Sequence, residues 1–170
     1  MSLTADLLAS YRAPRRVLRR HLARGATEGR ALMFLMLGCA LVFVAQWPRL
    51  MREAELDPAV PLDARMAGAF FGWLCLAPLL FYALAAASHL VAQVIGGRGS
   101  WFAARLALFW ALLAVSPVVL AQGLAAGFLD DGAAMAGLGI VTLGIFLYLW
   151  FAGLAEAERG AGAGPAAQRG

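Results

Sequence analysis

Residues 106–129 read LALFWALLAVSPVVLAQGLAAGFL, a run without a single charged side chain. A helix needs about 20 apolar residues to cross a hydrocarbon core of about 30 Å. This run is long enough, and it lacks the period-two alternation of a membrane barrel strand. Working outward from it, three further uncharged stretches cover 31–47, 66–95 and 132–155. The bulk numbers agree. Of 170 residues, 62% are hydrophobic and 14% charged, with a mean hydropathy of +0.76. A soluble domain carries about 45–50% apolar and about 25% charged residues, and a chain this short has no interior that could hide the excess. The expectation is one all-α membrane domain, a bundle of about four transmembrane helices.

The charges orient these spans. All fourteen basic residues are Arg, and eleven lie before the first span, between the second and third, or after the fourth. The loop after the first span balances Arg49, Arg52 and Arg65 against Glu53, Glu55, Asp57 and Asp63, and Asp130 and Asp131 mark the last turn. Cytoplasmic loops collect basic residues, so both termini are expected in the cytoplasm, as an even number of spans requires. Abundant Ala, Gly and Leu without Lys suit a GC-rich bacterial genome, which points to the inner membrane. A leader of thirty polar-rich residues does not look like a cleavable signal peptide. The end of the chain, 156–170, reads as a disordered cytoplasmic tail, Gly- and Ala-rich from Gly160 onward.

Residues 1–30 form a basic leader. On a helical wheel, Val17, Leu18, His21 and Leu22 share one face, while Arg15, Arg16, Arg19, Arg20 and Arg24 share the other. Pro14 suits a first helical turn, where its missing amide proton costs nothing. Such a helix is expected to lie in a membrane interface. Arg12, Arg15, Arg16, Arg19, Arg20 and Arg24 would then bind anionic lipid, at ~1 kcal/mol per side chain. No interleaved aromatic platform accompanies these arginines, so nucleic acid is not an expected partner.

Intramembrane chemistry requires ionisable groups inside spans, where they are costly to place. His89 is the only such side chain well inside a run, apart from thiols, and it has no carboxylate or second His at helical spacing. A neutral, hydrogen-bonded His89 is therefore expected. No paired carboxylates, nucleophile arrangement or metal-spaced cluster appears, so neither catalysis nor a cofactor is expected. Cys39 and Cys75 read as reduced, buried thiols. Pro78 and Pro117 are expected to kink their helices. Gly68 with Gly72, and Gly123 with Gly127, place small residues four apart, as close helix packing or self-association requires. Gly96-Gly97-Arg98-Gly99-Ser100 lacks the Lys-Ser/Thr ending of a phosphate loop and reads as a tight turn.

Ser88-His89-Leu90, the turn Gly96-Gly97-Arg98-Gly99-Ser100-Trp101 and Ser116-Pro117 together resemble bacterial members of the Yip (Ypt/Rab-interacting protein) family. The resemblance runs from about Leu7 to Leu154, and the basic leader with its proline is similar in character. It implies a helical membrane domain with a cytoplasmic N-terminus. The family usually has five spans where four are counted here; its eukaryotic branch is associated with Rab GTPases and carries an Asp-Leu-Tyr-Gly-Pro segment that this chain lacks. The expected function is non-enzymatic: organising, assembling or recruiting membrane partners, with lipid, another membrane protein or a second copy as partner. The competing expectation is a small transporter or channel acting as a homo-oligomer.

Overall fold

The computed structural model describes residues 3–129 and 132–160, all of its regular elements being helical. Two short helices, α1 (Leu3–Arg12) and α2 (Pro14–Ala23), form an N-terminal hairpin. Then follow α3 (Glu28–Ala45), α4 (Trp47–Leu56), α5 (Leu62–Phe71), a π-helical turn (Gly72–Leu76), α6 (Ala77–Val94), α7 (Trp101–Phe128) and α8 (Ala133–Gly160). These join into four rods long and apolar enough to cross a membrane: Glu28–Leu56, Leu62–Val94, Trp101–Phe128 and Ala133–Arg159. The all-α bundle of four long helices is as expected, and every rod overruns its apolar stretch. Charge ends the lipid-compatible segment without ending the helix. Arg49, Arg52, Glu53 and Glu55 thus sit on α4, which continues α3 because Pro48 occupies the first turn of α4, where no amide proton is needed.

Each rod starts or turns for a local reason. Thr27 caps α3 by accepting from the Arg30 amide, and Ser100 caps α7 by accepting from the Ala103 amide at 3.1 Å. Gly25 and Gly96, at φ 66° and 94°, provide the left-handed turns after α2 and α6. Pro78 acts differently from the expected simple kink. The helix widens in the turn before it, and the Ala77 amide reaches back five residues to the Gly72 carbonyl. That widening relieves the clash a proline ring imposes on the preceding turn. Pro117 leaves α7 unbroken. The carbonyl that it deprives of a partner is that of Leu113, and the Ser116 hydroxyl donates to it at 2.8 Å.

α7 is the axis of the bundle, with its residues from Leu106 to Ser116 buried. α3 runs parallel to it, Gly38 lying against Leu112 and Gly123 against the Ala45 backbone, with Gly127 against Pro48. α8 runs antiparallel, Gly153 facing Ala107. α6 meets α7 through the Tyr82 and Phe109 rings, 4.9 Å apart and nearly perpendicular. Gly123 and Gly127 therefore pack as expected. Gly68 and Gly72 do not: a side chain at either would meet open space, so this pair is no packing face within the chain. Cys39 is buried, but Cys75 is exposed on the outer surface, and both are free thiols.

Two expectations about the ends are corrected. The leader is a docked hairpin, hinged at Ala13, rather than one helix in an interface. Val17, Leu18 and His21, which were to face lipid, are buried against the bundle. The cause is apolar complementarity with α8 and α7, Leu18 packing over Gly153. At the other end, residues 156–160 continue α8 instead of starting a tail, because Glu156 and Glu158 both find partners. Residues 161–170, with Arg169, and the turn residues Asp130 and Asp131 lie outside the described residues.

Candidate functional site

The hairpin, the α2–α3 turn, the α6–α7 turn and the end of α8 all meet at one end of the bundle, termed here the hairpin end. Its centre is a carboxylate. Glu158 on the last turn of α8 receives the Gly99 amide at 2.7 Å on Oε2 and faces His89 Nδ1 at 2.8 Å through Oε1. His89 is fully buried on α6, with the Trp101 ring 4.5 Å away and nearly edge-on. The Gln93 amide nitrogen lies 3.1 Å from His89 Nε2. With that nitrogen accepting, the imidazole proton sits on Nδ1 and is donated to Glu158.

The glycines of the turn are explained by the same carboxylate. A Cβ on Gly97 would stand 2.6 Å from Glu158 Oε2, and one on Gly99 2.7 Å from Glu158 Cδ. The Arg98 amide also donates to the Glu158 carbonyl at 3.3 Å. The chain thus wraps its bare backbone around one acid and ties α6, α7 and α8 together. His89 has no carboxylate at helical spacing on its own helix, which is why the sequence leaves it without an acid. Its acid comes from a position 69 residues away.

A second polar cluster locks the hairpin. Asp6 is buried on α1 and pairs with Arg20 at 3.3 Å and Arg24 at 3.9 Å. Ser10 donates to the Asp6 carbonyl, and the Trp110 indole donates to Ser10 at 2.9 Å. Tyr11 donates to the Ala114 carbonyl at 2.6 Å, and burial raises its phenol pKa. His21 lies between the Phe34 and Trp110 rings, at 5.5 and 4.4 Å. Its pKa is lowered, first by burial; Asp6 opposes the shift, while Arg24, Arg30 and Arg20 add to it. Arg19 pairs with Glu156 at 2.7 Å, and that pairing raises its own pKa.

The six arginines singled out in the sequence therefore divide. Arg19, Arg20 and Arg24 hold acids of the chain, whereas Arg12, Arg15 and Arg16 are exposed and make no salt bridge among the described residues. Arg105 pairs with Glu28 and sits 6.0 Å over the Tyr82 ring. Toward the opposite end, a cavity of about 430 Å³ opens between α3, the π-helical turn, α6, α7 and α8. Its walls include Trp73, Phe81 and Phe146, with Gln46, Arg49, Gln122 and Thr142 as polar groups. No group of three or more His, Cys, Asp or Glu able to hold a metal is present among the described residues.

Four long apolar rods around a buried axis define the class: a multi-pass helical membrane protein. No family model, curated protein or solved structure matches the chain.

Proposed function

We propose that this is a non-enzymatic, Yip-like protein of the bacterial inner membrane that organises or recruits membrane partners, with its hairpin end in the cytoplasm. The observation that carries this reading is the docked hairpin. Its apolar side is spent on the bundle, so Arg12, Arg15 and Arg16 are held as a fixed basic face. A preorganised charged face binds with less ordering cost than a floppy leader. The wrapped Glu158 carboxylate supports the same reading, because it braces the end of the molecule that presents the face. A resident acid, base and nucleophile do not converge there: His89 and Glu158 are committed to each other and to the backbone.

Extraction with native lipid in copolymer discs, followed by mass spectrometry, tests this. Wild-type discs should carry a stoichiometric partner that is lost from the Arg12→Gln/Arg15→Gln/Arg16→Gln variant. An identical set of co-purifying proteins with both chains would refute recruitment through this face. The cavity near the opposite end, which sets Gln46, Arg49, Gln122 and Thr142 among mostly apolar walls, favours a second reading, a small transporter. Solute flux in proteoliposomes that falls when the cavity is filled by Gly139→Phe would support it.

A further inference from the structure

The basic face has an unusual depth. Tyr11 bonds the Ala114 carbonyl, and Ala114 lies only about 5 Å along α7 from the middle of the uncharged run 106–129, at 1.5 Å per residue. The hairpin tip also packs beside Tyr148 and Ala152 of α8. Tyr148 is about 7 Å from the middle of the uncharged run 132–155. A hydrocarbon core about 30 Å thick has a half-thickness of about 15 Å. Ala152 on the same helix is about 13 Å from the middle of 132–155, so the two helices put the tip roughly 2–10 Å below the level of the headgroups.

Arg12, Arg15 and Arg16 surround that tip and, with the Glu156-bound Arg19, line a depression of about 390 Å³ whose far wall is Tyr148 and Ala152. An arginine does not discharge, so burial in hydrocarbon leaves it charged. The neighbouring acids offer no relief. Asp6 is taken by Arg20 and Arg24, Glu28 by Arg105, Glu156 by Arg19, and Glu158 by His89 and Gly99. Arg15 senses Glu156 only at longer range. Around the tip the surface is apolar and exposed, with Leu8 73% and Phe151 56% accessible, as a lipid-facing surface would be.

We infer that the depression at the hairpin tip is a binding site for the phosphate of an anionic phospholipid, drawn below its leaflet so that the bilayer is locally thinned beside α8. This rests on the proposed role of the basic face and names its ligand. Guanidinium groups grip phosphate oxygens in bidentate fashion. Lipid is the source because the site lies at a depth that an acidic soluble partner would have to enter the membrane to reach. Three arginines at ~1 kcal/mol each correspond to about a hundredfold preference for anionic over neutral headgroups.

A spin label at Tyr148→Cys, in a Cys75→Ser background, reads the depth directly. In discs of phosphatidylglycerol and phosphatidylcholine, the label should be accessible to a nickel chelate and should relax the headgroup phosphorus signal. A label at Val141→Cys, nearer the bilayer centre, should report hydrocarbon. Both signals at Tyr148→Cys should disappear in the Arg12→Gln/Arg15→Gln/Arg16→Gln variant, with phosphatidylglycerol retention falling about a hundredfold. They should survive Arg30→Gln, and the triple Lys variant should keep part of them. A wild-type label that reports hydrocarbon overturns the inference. So does a polar label in the triple Gln variant with its helicity intact, or equal signals in pure phosphatidylcholine discs. Signals produced only by added inorganic phosphate would overturn the lipid source. The co-purifying protein set is scored separately: if it changes with the triple variant while the depth signals are absent, the site fails and recruitment stands. If the depth signals appear and the protein set is unchanged, recruitment fails and the site stands.

Discussion

Adding one methyl group at Gly99 should unfasten the hairpin end. A Cβ there would lie 2.7 Å from Glu158 Cδ and 2.9 Å from the Ala157 carbonyl oxygen, well inside contact distance. Glu158 is a side chain and can give way, whereas the Ala157 carbonyl is backbone, so the turn must also shift there. The Glu158 carboxylate then leaves the Gly99 amide, now at 2.7 Å, and His89 Nδ1, now at 2.8 Å. Loss of a hydrogen bond to a charged group costs about 1.5–3 kcal/mol, and overpacking adds about 1–3 kcal/mol. The sum, roughly 3–6 kcal/mol, is a large share of an ordinary folding free energy. In a chain of this length each kcal/mol moves Tm by about 2–4 °C, so Gly99→Ala should lower Tm in detergent by about 10 °C. A double-mutant cycle isolates the cause. With Glu158→Ala already in place, the main obstacle is absent, and Gly99→Ala should cost at least ~1.5 kcal/mol less than it does alone. Additive losses would refute the carboxylate as the reason for the glycine. So would a Gly99→Ala protein no less stable than Gly68→Ala.

Gly123→Ala should be severely destabilising, since its Cβ would overlap the Ala45 carbonyl oxygen across the α3–α7 contact. Gly68→Ala and Gly72→Ala meet nothing and should be neutral or stabilising by up to ~1 kcal/mol through helix propensity. Thermal melts of the three variants decide it, and a tolerant Gly123 would refute the α3–α7 packing. Hairpin docking should also depend on pH. The His21 pKa is lowered in the docked state from the ordinary 6.5. An undocked chain therefore binds more protons between the two values, so docking is at full strength above 6.5 and is lost as pH falls through that value toward the lowered one. Hydrogen exchange of α2 amides, corrected for intrinsic rates, should rise between about pH 7 and 5, and His21→Phe should abolish the rise. Unchanged pH dependence in His21→Phe would place the switch elsewhere.

The long helices were legible because each carries a single message, continuous apolarity, over more residues than a bilayer needs. What the sequence hid is where two distant messages meet. Ser116 and Pro117 look like a polar residue and a helix breaker, yet the hydroxyl of one satisfies the Leu113 carbonyl freed by the other. Gly97 and Gly99 read as turn formers, but their lack of side chains makes room for an acid 59 residues beyond Gly99. No periodicity on α6 or α8 announces that pairing. The available signal was the coincidence of bare backbone and a stranded histidine at the same end as a final-turn Glu. The leader misled for a related reason. Amphipathicity shows that a face seeks apolar surroundings, but lipid and a protein groove offer the same reward, and here the groove is closer.

This asymmetry between the two ends bears on how the protein can work. At the hairpin end, Asp6, Glu28, Glu156 and Glu158 each bind a partner from another helix, and α7 is buried on all sides from Leu106 to Ser116. Away from that end, α6 and α8 separate around a cavity of about 430 Å³, and the π-helical turn that carries Trp73 borders it. π-Helical turns recur at functional sites and at points of helix bending. Beyond that turn the rod is held differently, by Arg65 of α5 pairing with Glu53 at 3.5 Å and Asp57 at 3.0 Å. The basic face is therefore on the rigid part of the molecule, which suits a surface that must hold its geometry to grip phosphate. The cavity lies away from the Glu158 clamp, so the two can act without mechanical conflict, and substituting Gly72 in the π-helical turn that borders the cavity should alter cavity occupancy without touching lipid retention at Arg12, Arg15 and Arg16.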